Sequence, residues 1–225
     1  MRIGLSTNSF PANVSLPQGL RLAKRAGFDC LELHITADGY LTLDTDERMV
    51  RSLRNAVENI SLEVGSIRAD VLQGIESASD RVRTVGRCVE ICASLGAGVL
   101  SVPYGDVGAI RDAAGVCDKA NVTVAVEPFN GASELSLEEL RNIVDESGCA
   151  NLGTCVDTGH RNTTPAVDEW ALGLGPRLKL VRARDYSVLP DGTLQWTNLL
   201  QGQVDWKGLR KSLINTGFDG PVIAC

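Results

Sequence analysis

Short segments rich in β-branched and other apolar residues alternate along the chain with segments in which apolar residues recur at helical spacing. The pattern predicts eight strands: Arg2–Thr7, Cys30–Ile35, Leu62–Ile67, Gly98–Pro103, Val122–Val126, Leu152–Val156, Leu178–Ala183 and Pro221–Cys225. A helical segment falls in each interval between them. This alternation is typical of a parallel sheet with helices packed outside it.

Capping residues mark where several of the helices begin. Ser15 precedes Pro17 and Gln18, which is the order of an N-cap, an early proline and a capping-box partner, and Ser136 with Glu139 repeats the box. The remaining helical patterns cover Asp46–Asn59, Ser79–Leu95, Val107–Lys119, Ala166–Leu172 and Asp205–Ile214.

Eight such units without a linker or a shift in composition predict one α/β domain over residues 1–225, a single (β/α)8 TIM barrel. The competing architecture is an open, doubly wound sheet, which normally carries a glycine-rich phosphate loop after its first strand. Here that loop reads Asn8-Ser9-Phe10-Pro11, which favours the barrel.

The amino-acid composition limits the kinds of molecule that the protein is expected to bind. The 225 residues are 44% hydrophobic and 22% charged, with a net charge of −6, and no basic run occurs, which argues against nucleic acid and anionic membrane. The N-terminus lacks the layout of a signal peptide, and the seven cysteines form no CxxC pair. We therefore expect a cytoplasmic protein with reduced thiols, no membrane segment and a small polar ligand, while a homodimer stays open.

Polar residues concentrate at the carboxyl ends of the predicted strands, which in a barrel meet at one mouth. They are Asn8, Glu32, His34, Arg68, Tyr104, Glu127, Asp157, His160, Arg182, Arg184, Asp185 and Cys225. Glu127 and Asp157 each follow an uninterrupted strand, so each carboxylate needs a cation, a hydrogen-bond donor or a metal nearby. The alternative for either one is a strand-end acid that caps a loop amide.

Four segments carry a family resemblance: Val126-Glu127-Pro128, Asp157-Thr158-Gly159-His160, Val181-Arg182-Ala183-Arg184-Asp185 and Gly202-Gln203-Val204-Asp205-Trp206. They resemble the xylose isomerase-like TIM barrels, which include sugar (phosphate) isomerases and epimerases, and the resemblance covers essentially the whole chain in order. It implies a divalent cation (manganese, magnesium or cobalt) held by residues on strands five to eight. Glu127 and Asp157 match the first two ligands, but the third falls on Arg182 and the fourth on Cys225.

The charges decide what this departure means. The family's three carboxylates contribute about −3 toward a +2 ion, whereas Glu127, Asp157 and Arg182 sum to −1 without one. Arginine has no lone pair to offer a metal and stays protonated. We therefore predict no metal cofactor and a Glu127–Arg182–Asp157 ion-pair network in its place; any metal that did bind would use Glu127 and Asp157.

The resemblance implies a divergent isomerase or epimerase of carbohydrate metabolism that transfers a proton on a small polyhydroxy or keto compound, such as a sugar or sugar phosphate. Glu127 would move the proton, His160 would orient a hydroxyl and Arg182 would stabilise an enolate-like charge. The residues expected to bind substrate are Asp157, Arg184, Asp185, Glu32 and Cys225. His34 is expected to pack or hydrogen-bond near the second strand.

A non-catalytic barrel and a DNA-repair enzyme are the two alternative functions. A non-catalytic barrel that binds a small molecule at a decayed metal site stays open, because a double loss of ligands is what decay would produce. A DNA-repair enzyme is disfavoured, because the fold's relatives of that kind hold three zinc ions with many histidines, and this chain has two histidines and a charge of −6.

Overall fold

Eight parallel strands close into a barrel in the computed structural model, which describes residues 1–73, 75–103, 115, 117–130, 133–159 and 167–225. The strands are β1 (Arg2–Ser6), β2 (Cys30–His34), β3 (Glu63–Arg68), β4 (Val99–Val102), β5 (Thr123–Val126), β6 (Leu152–Asp157), β7 (Leu178–Ala183) and β8 (Pro221–Ala224). Each strand pairs with its sequence neighbours, and β8 pairs with β1 to complete the circle. The predicted (β/α)8 barrel is confirmed.

The helices are α1 (Leu16–Arg25), α2 (Glu47–Glu58), α3 (Ala78–Leu95), α4 (Leu137–Ser147), α5 (Val167–Leu174) and α6 (Trp206–Asn215). Both predicted capping boxes form, at Ser15 with Gln18 and at Ser136 with Glu139. The helix predicted over 107–119 lies mostly outside the described residues. No helix within the described ranges has the length and apolar character needed to cross a membrane.

Two antiparallel hairpins were not predicted. A short one joins Phe129–Asn130 to Ser133–Glu134, and a longer one joins Asp185–Val188 to Leu194–Thr197 directly after β7. The longer hairpin turns at Pro190-Asp191-Gly192, which is an ordinary turn sequence. It brings Trp196 to the barrel mouth.

The barrel interior is layered, and the layering positions the site. A small apolar cluster of strand residues fills the lower interior: Cys30, Val99, Ala125, Cys155, Leu180 and Ile223. Because side chains alternate along a strand, the residue two positions later points to the same side. Those later residues are Glu32, Ser101, Glu127, Asp157, Arg182 and Cys225. One polar layer therefore sits above the apolar one at the carboxyl end of the strands.

Candidate functional site

Arg182 of β7 is a fully buried cation in the polar layer, with 1% of its surface exposed. Its Nη2 donates to Glu32 Oε2 at 2.8 Å and lies 3.6 Å from Glu127 Oε1. Burial opposes the positive charge, but these two carboxylates more than offset it, so the pKa of Arg182 lies well above its ordinary value. The guanidinium is therefore charged at any ordinary pH.

The predicted Glu127–Arg182–Asp157 network is wrong in one partner. Arg182 forms its short contact with Glu32 of β2, whereas its neighbour in the β6–β7 register, Asp157, contacts a different arginine. The physical reason is reach, because the long arginine side chain extends across the barrel to the opposite strands.

Glu127, which follows β5, is held by three hydrogen bonds. Arg68 donates from Nε to Oε1 and from Nη2 to Oε2, both at 2.8 Å, and Ser101 Oγ donates to Oε1 at 2.6 Å. Burial alone would raise the pKa of Glu127, but the charges of Arg182 and Arg68 with these hydrogen bonds lower it. The carboxylate is ionised, and both of its oxygens are already engaged.

Asp157, at the end of β6, is less well compensated. Its Oδ1 accepts the Gly159 N–H at 3.0 Å, and its Oδ2 lies 3.3 Å from Arg184 Nε. Burial raises the pKa of Asp157, and Arg184 and the Gly159 amide only partly oppose that effect. The Arg184 guanidinium also lies over the ring of Trp196, 5.5 Å from its centroid.

His34, at the end of β2, forms a chain of contacts at the mouth. Its Nε2 lies 2.8 Å from Ser6 Oγ and 3.5 Å from Glu32 Oε1, and its Nδ1 lies 2.5 Å from Asp70 Oδ2. Burial lowers the pKa of His34, but the bonds to Asp70 and Glu32 more than offset it, so the pKa is raised. His34 hydrogen-bonds as expected, and in addition it faces the cavity of the barrel mouth.

That cavity has a volume of about 280 Å³ and opens at the carboxyl end of the strands. Of the polar residues predicted at the barrel mouth, those on its wall are Asn8, His34, Arg68, Arg182, Arg184, Asp185 and Cys225. Glu32, Glu127 and Asp157 do not belong to the wall and serve as its buried partners. His160, predicted to orient substrate, and Tyr104 lie outside the described residues.

Cys225 and Asp185 contribute differently to the wall. Although residue 225 as a whole is exposed, partial burial of its thiol, followed by the charge of Glu32, raises the pKa of the Cys225 thiol to about 12, so the thiol is neutral. Asp185 accepts hydrogen bonds from the backbone amides of residues 186, 202 and 204 and from the Trp206 indole, and these bonds outweigh burial and lower its pKa. Asp185 thus ties the hairpin to the segment before α6 rather than pairing with Arg184.

Two glycines of the family-like segments are required by close approaches. A Cβ built on Gly202 would overlap the Asp185 carboxylate, and one built on Gly159 would overlap the Trp196 ring. The segments Gly-Gln-Val-Asp-Trp and Asp-Thr-Gly-His therefore carry glycine because neighbouring side chains pack against their backbone.

Sequence reasoning gave no role to Ser6, Asp70 or Trp196, all of which contact site residues. Strand alternation could have indicated Ser6, which follows Gly4 by two positions within β1, whereas Asp70 lies in a short 3₁₀ helix after β3, where that signal no longer applies. Trp196 reaches the mouth through the unpredicted hairpin.

A family model described as xylose isomerase-like TIM barrel matches residues 20–225. No curated protein sequence matches the chain. Among solved structures, a D-psicose 3-epimerase in the presence of D-fructose is similar with a TM-score of 0.78 at 14% identity, over 100% of this chain and 84% of that one. The structure of the IOLI protein with a bound zinc atom is similar with a TM-score of 0.79 at 18% identity, over 100% of this chain and 88% of that one. The structure of the probable 3-DHS dehydratase AsbF of Bacillus anthracis is similar with a TM-score of 0.79 at 16% identity, over 100% of this chain and 92% of that one.

Proposed function

Since the chain belongs to the xylose isomerase-like TIM barrel family, we propose that it is an isomerase- or epimerase-like enzyme that transfers a proton on a small polyhydroxy or keto compound without a divalent metal. The observation that carries the proposal is the buried guanidinium of Arg182. It lies on the cavity wall and contacts Glu32 and Glu127, at the strand-seven position where the family resemblance expects a metal ligand.

The donor set does not fit the divalent cation that the family implies. Arg182 offers no lone pair, and the Cys225 thiol, with a pKa raised to about 12, is a neutral group at the strand-eight position. Both oxygens of Glu127 already accept hydrogen bonds from Arg68 and Ser101. A hard cation would have to displace these donors and sit beside a fixed positive charge, so a metal takes no part in the proposed reaction.

The reaction needs a positive charge where an oxygen becomes negative. Removing the proton from a hydroxyl-bearing carbon next to a carbonyl gives an enediolate. A proton, which the base can exchange with solvent in the meantime, is then returned to the same carbon or to the adjacent one. The Arg182 guanidinium supplies a fixed charge on the cavity wall for that oxygen. Such preorganised charge needs no rearrangement at the moment of reaction.

Glu127 and His160 remain the proposed proton-transfer and orienting residues. To accept a proton, a Glu127 oxygen must release a bond from Arg68 or Ser101, because each oxygen is engaged. It must also become open to the cavity, because Glu127 lies behind the described wall. His34 is a second titratable group on the cavity wall, and its contact with Asp70 fixes its ring. His34 is therefore proposed to share the proton transfer.

The engaged state of Glu127 also favours a second candidate function, a barrel that binds a small molecule without turning it over. In that case the arginine pairs only hold the mouth together. The two candidates differ in one observable, because a binder leaves the carbon-bound hydrogens of its ligand unchanged.

The test is solvent exchange in D₂O. Aldoses, ketoses, their phosphates and hydroxy-keto acids are incubated with the protein before and after EDTA treatment, and carbon-bound deuterium is measured by NMR. We expect deuterium in one compound class at the same rate after EDTA, and a decrease of at least about 100-fold in Glu127→Gln. Arg177→Lys serves as the control, because Arg177 pairs with Asp145 away from the cavity.

Each outcome has a distinct meaning. Exchange that disappears with EDTA would contradict the metal-free part of the proposal and leave proton transfer standing. Binding without deuterium in any compound would establish the second candidate instead.

A further inference from the structure

The described cavity wall carries an excess of cationic groups. Arg68, Arg182 and Arg184 line it, and His34 adds an imidazole whose pKa is raised by its carboxylate contacts, although burial opposes this. Asp185 is the one carboxylate residue on the described wall. A ligand entering here meets nitrogen donors on several sides.

The single acid on this wall is not free to repel an anion. Asp185 Oδ2 accepts the Gly202 amide at 3.0 Å and the Trp206 indole at 2.9 Å, and Oδ1 accepts the Tyr186 amide at 2.9 Å and the Val204 amide at 3.2 Å. Four N–H groups directed at one carboxylate offset its charge locally.

The counter-charges of the arginines lie behind the wall. Glu127 holds Arg68 from below through two parallel hydrogen bonds, Asp70 lies 3.2 Å from Arg68 Nη1 and also contacts His34, and Asp157 contacts Arg184 through its Nε. None of these three acids is on the described wall, so the positive groups are nearer to the cavity. These contacts also fix the guanidinium planes before a ligand arrives, which lowers the entropic cost of binding.

Arg184 has the most binding capacity left. Its side chain is 31% exposed, and its contacts within the described residues are Nε with Asp157 and the guanidinium face with Trp196. Its terminal nitrogens have no protein partner in the described part of the chain, and the residue lies on the cavity wall. A planar group with two parallel donors matches the oxygens of a carboxylate or a phosphate.

We propose that the cavity is an oxyanion site and that the substrate of the proposed reaction is an acid, with Arg184 as its main contact and Arg68 and His34 beside it. This inference rests on the proposed function for the identity of the site. A volume of about 280 Å³ limits the ligand to a small one. Two sources share the chemistry, a carboxylate on a short hydroxy or keto acid and a phosphate ester.

Calorimetric titration separates these sources from neutral polyols. D-glycerate and glycerol are a matched pair that differs in the carboxylate, and inorganic phosphate is the second arm. We expect D-glycerate, phosphate or both to bind at least about 10-fold more tightly than glycerol, as one charge-assisted contact implies. Tighter glycerate identifies a carboxylate ligand, and tighter phosphate identifies a phosphate ester.

Variants locate the binding. Arg184→Gln removes the charge and should weaken anion binding at least about 10-fold, without changing glycerol binding. Arg177→Gln loses a two-point contact with Asp145 outside the cavity and should bind as the wild type does. Fluorescence of Trp196, which the ligand would disturb through Arg184, provides a second readout that Trp196→Phe should remove.

Equal affinity for glycerol and both anions, or anion binding that Arg184→Gln leaves unchanged, would overturn the oxyanion site. This failure is distinguishable from failure of the proposed function. Deuterium exchange on a neutral sugar without anion binding would contradict only the oxyanion site. Anion binding without exchange on any bound acid would contradict only the proposed enzymatic activity.

Discussion

Glu127 and Asp157 end neighbouring strands of the barrel and are almost equally buried, yet their pKa values shift in opposite directions. Burial raises the pKa of both. Glu127 receives two hydrogen bonds from Arg68, one from Ser101 and the nearby charge of Arg182, and its pKa falls. Asp157 has an amide and one arginine contact at 3.3 Å, and its pKa rises.

The difference shows that the barrel neutralises its acids unevenly. Glu32 and Glu127 share the charge of Arg182, and Glu127 also pairs with Arg68, although Glu32 Oε1 has no hydrogen-bond partner in the described part of the chain. Asp157 is the acid that a cation would still help. The side of the mouth near Asp157 is thus the less rigidly paired one, and Arg184, the most exposed of the wall arginines, belongs to it.

The largest expected effect comes from Arg182→Met. The substitution leaves Glu32 and Glu127 buried without their shared cation, and removing one member of a buried pair typically costs about 3–5 kcal/mol of unfolding free energy. Urea denaturation at neutral pH measures it. Arg177→Met, which removes an exposed pair, is the control and should cost much less. Equal losses in the two variants would show that Arg182 has no special electrostatic role.

A smaller effect separates the two acids directly. Glu127→Gln leaves Arg68 and Arg182 with fewer negative partners, and we expect it to lower the unfolding free energy by about 1–3 kcal/mol. Asp157→Asn removes a charge whose burial is poorly compensated. This variant should therefore lose less unfolding free energy than Glu127→Gln, or gain some. The comparison breaks if Asp157→Asn costs as much as Glu127→Gln in the same urea titration.

The smallest effect is the pH dependence, which has opposite signs for the two acids. The folded-state pKa of Glu127 lies below its ordinary 4.5, so its stabilisation is present above that pH and is lost as pH falls toward the folded pKa. The folded-state pKa of Asp157 lies above its ordinary 3.8, so its ionisation lowers stability as pH rises from 3.8 to the folded pKa. Relative to wild type, the unfolding free energy of Glu127→Gln should fall as pH rises in the acid range, and that of Asp157→Asn should increase. Slopes of the same sign would reject the assignment.

The sequence was sufficient for the barrel because strand and helix periods are local signals. Leu178–Ala183 matches β7 as predicted, and the other strands differ by one residue at one end or, for β3 and β4, at both ends. The placement of Arg182 at the barrel mouth followed from its position near the end of the seventh strand and from the family resemblance. Its partner did not follow, because the choice between Asp157 and Glu32 depends on reach across the barrel.

Contacts between segments that are distant in the sequence could not be predicted from local patterns. The bond pair from Arg68 to Glu127 joins residues 59 positions apart, and no local pattern records it. The hairpin after β7 was missed although Pro190-Asp191-Gly192 is a turn signal, and Trp196 was missed with it. His34 was expected only to pack or hydrogen-bond, because a histidine in a strand does not reveal that a cavity lies beside it.

Calorimetric titration with Mn²⁺ tests the central claim most directly, namely that Arg182 supplies the positive charge that relatives take from an ion. It compares wild type with the double variant Arg182→His and Cys225→Glu, which restores the family's ligand types. The account predicts no binding to wild type and binding of one ion by the double variant. Stoichiometric binding to wild type that Asp157→Asn abolishes would contradict it.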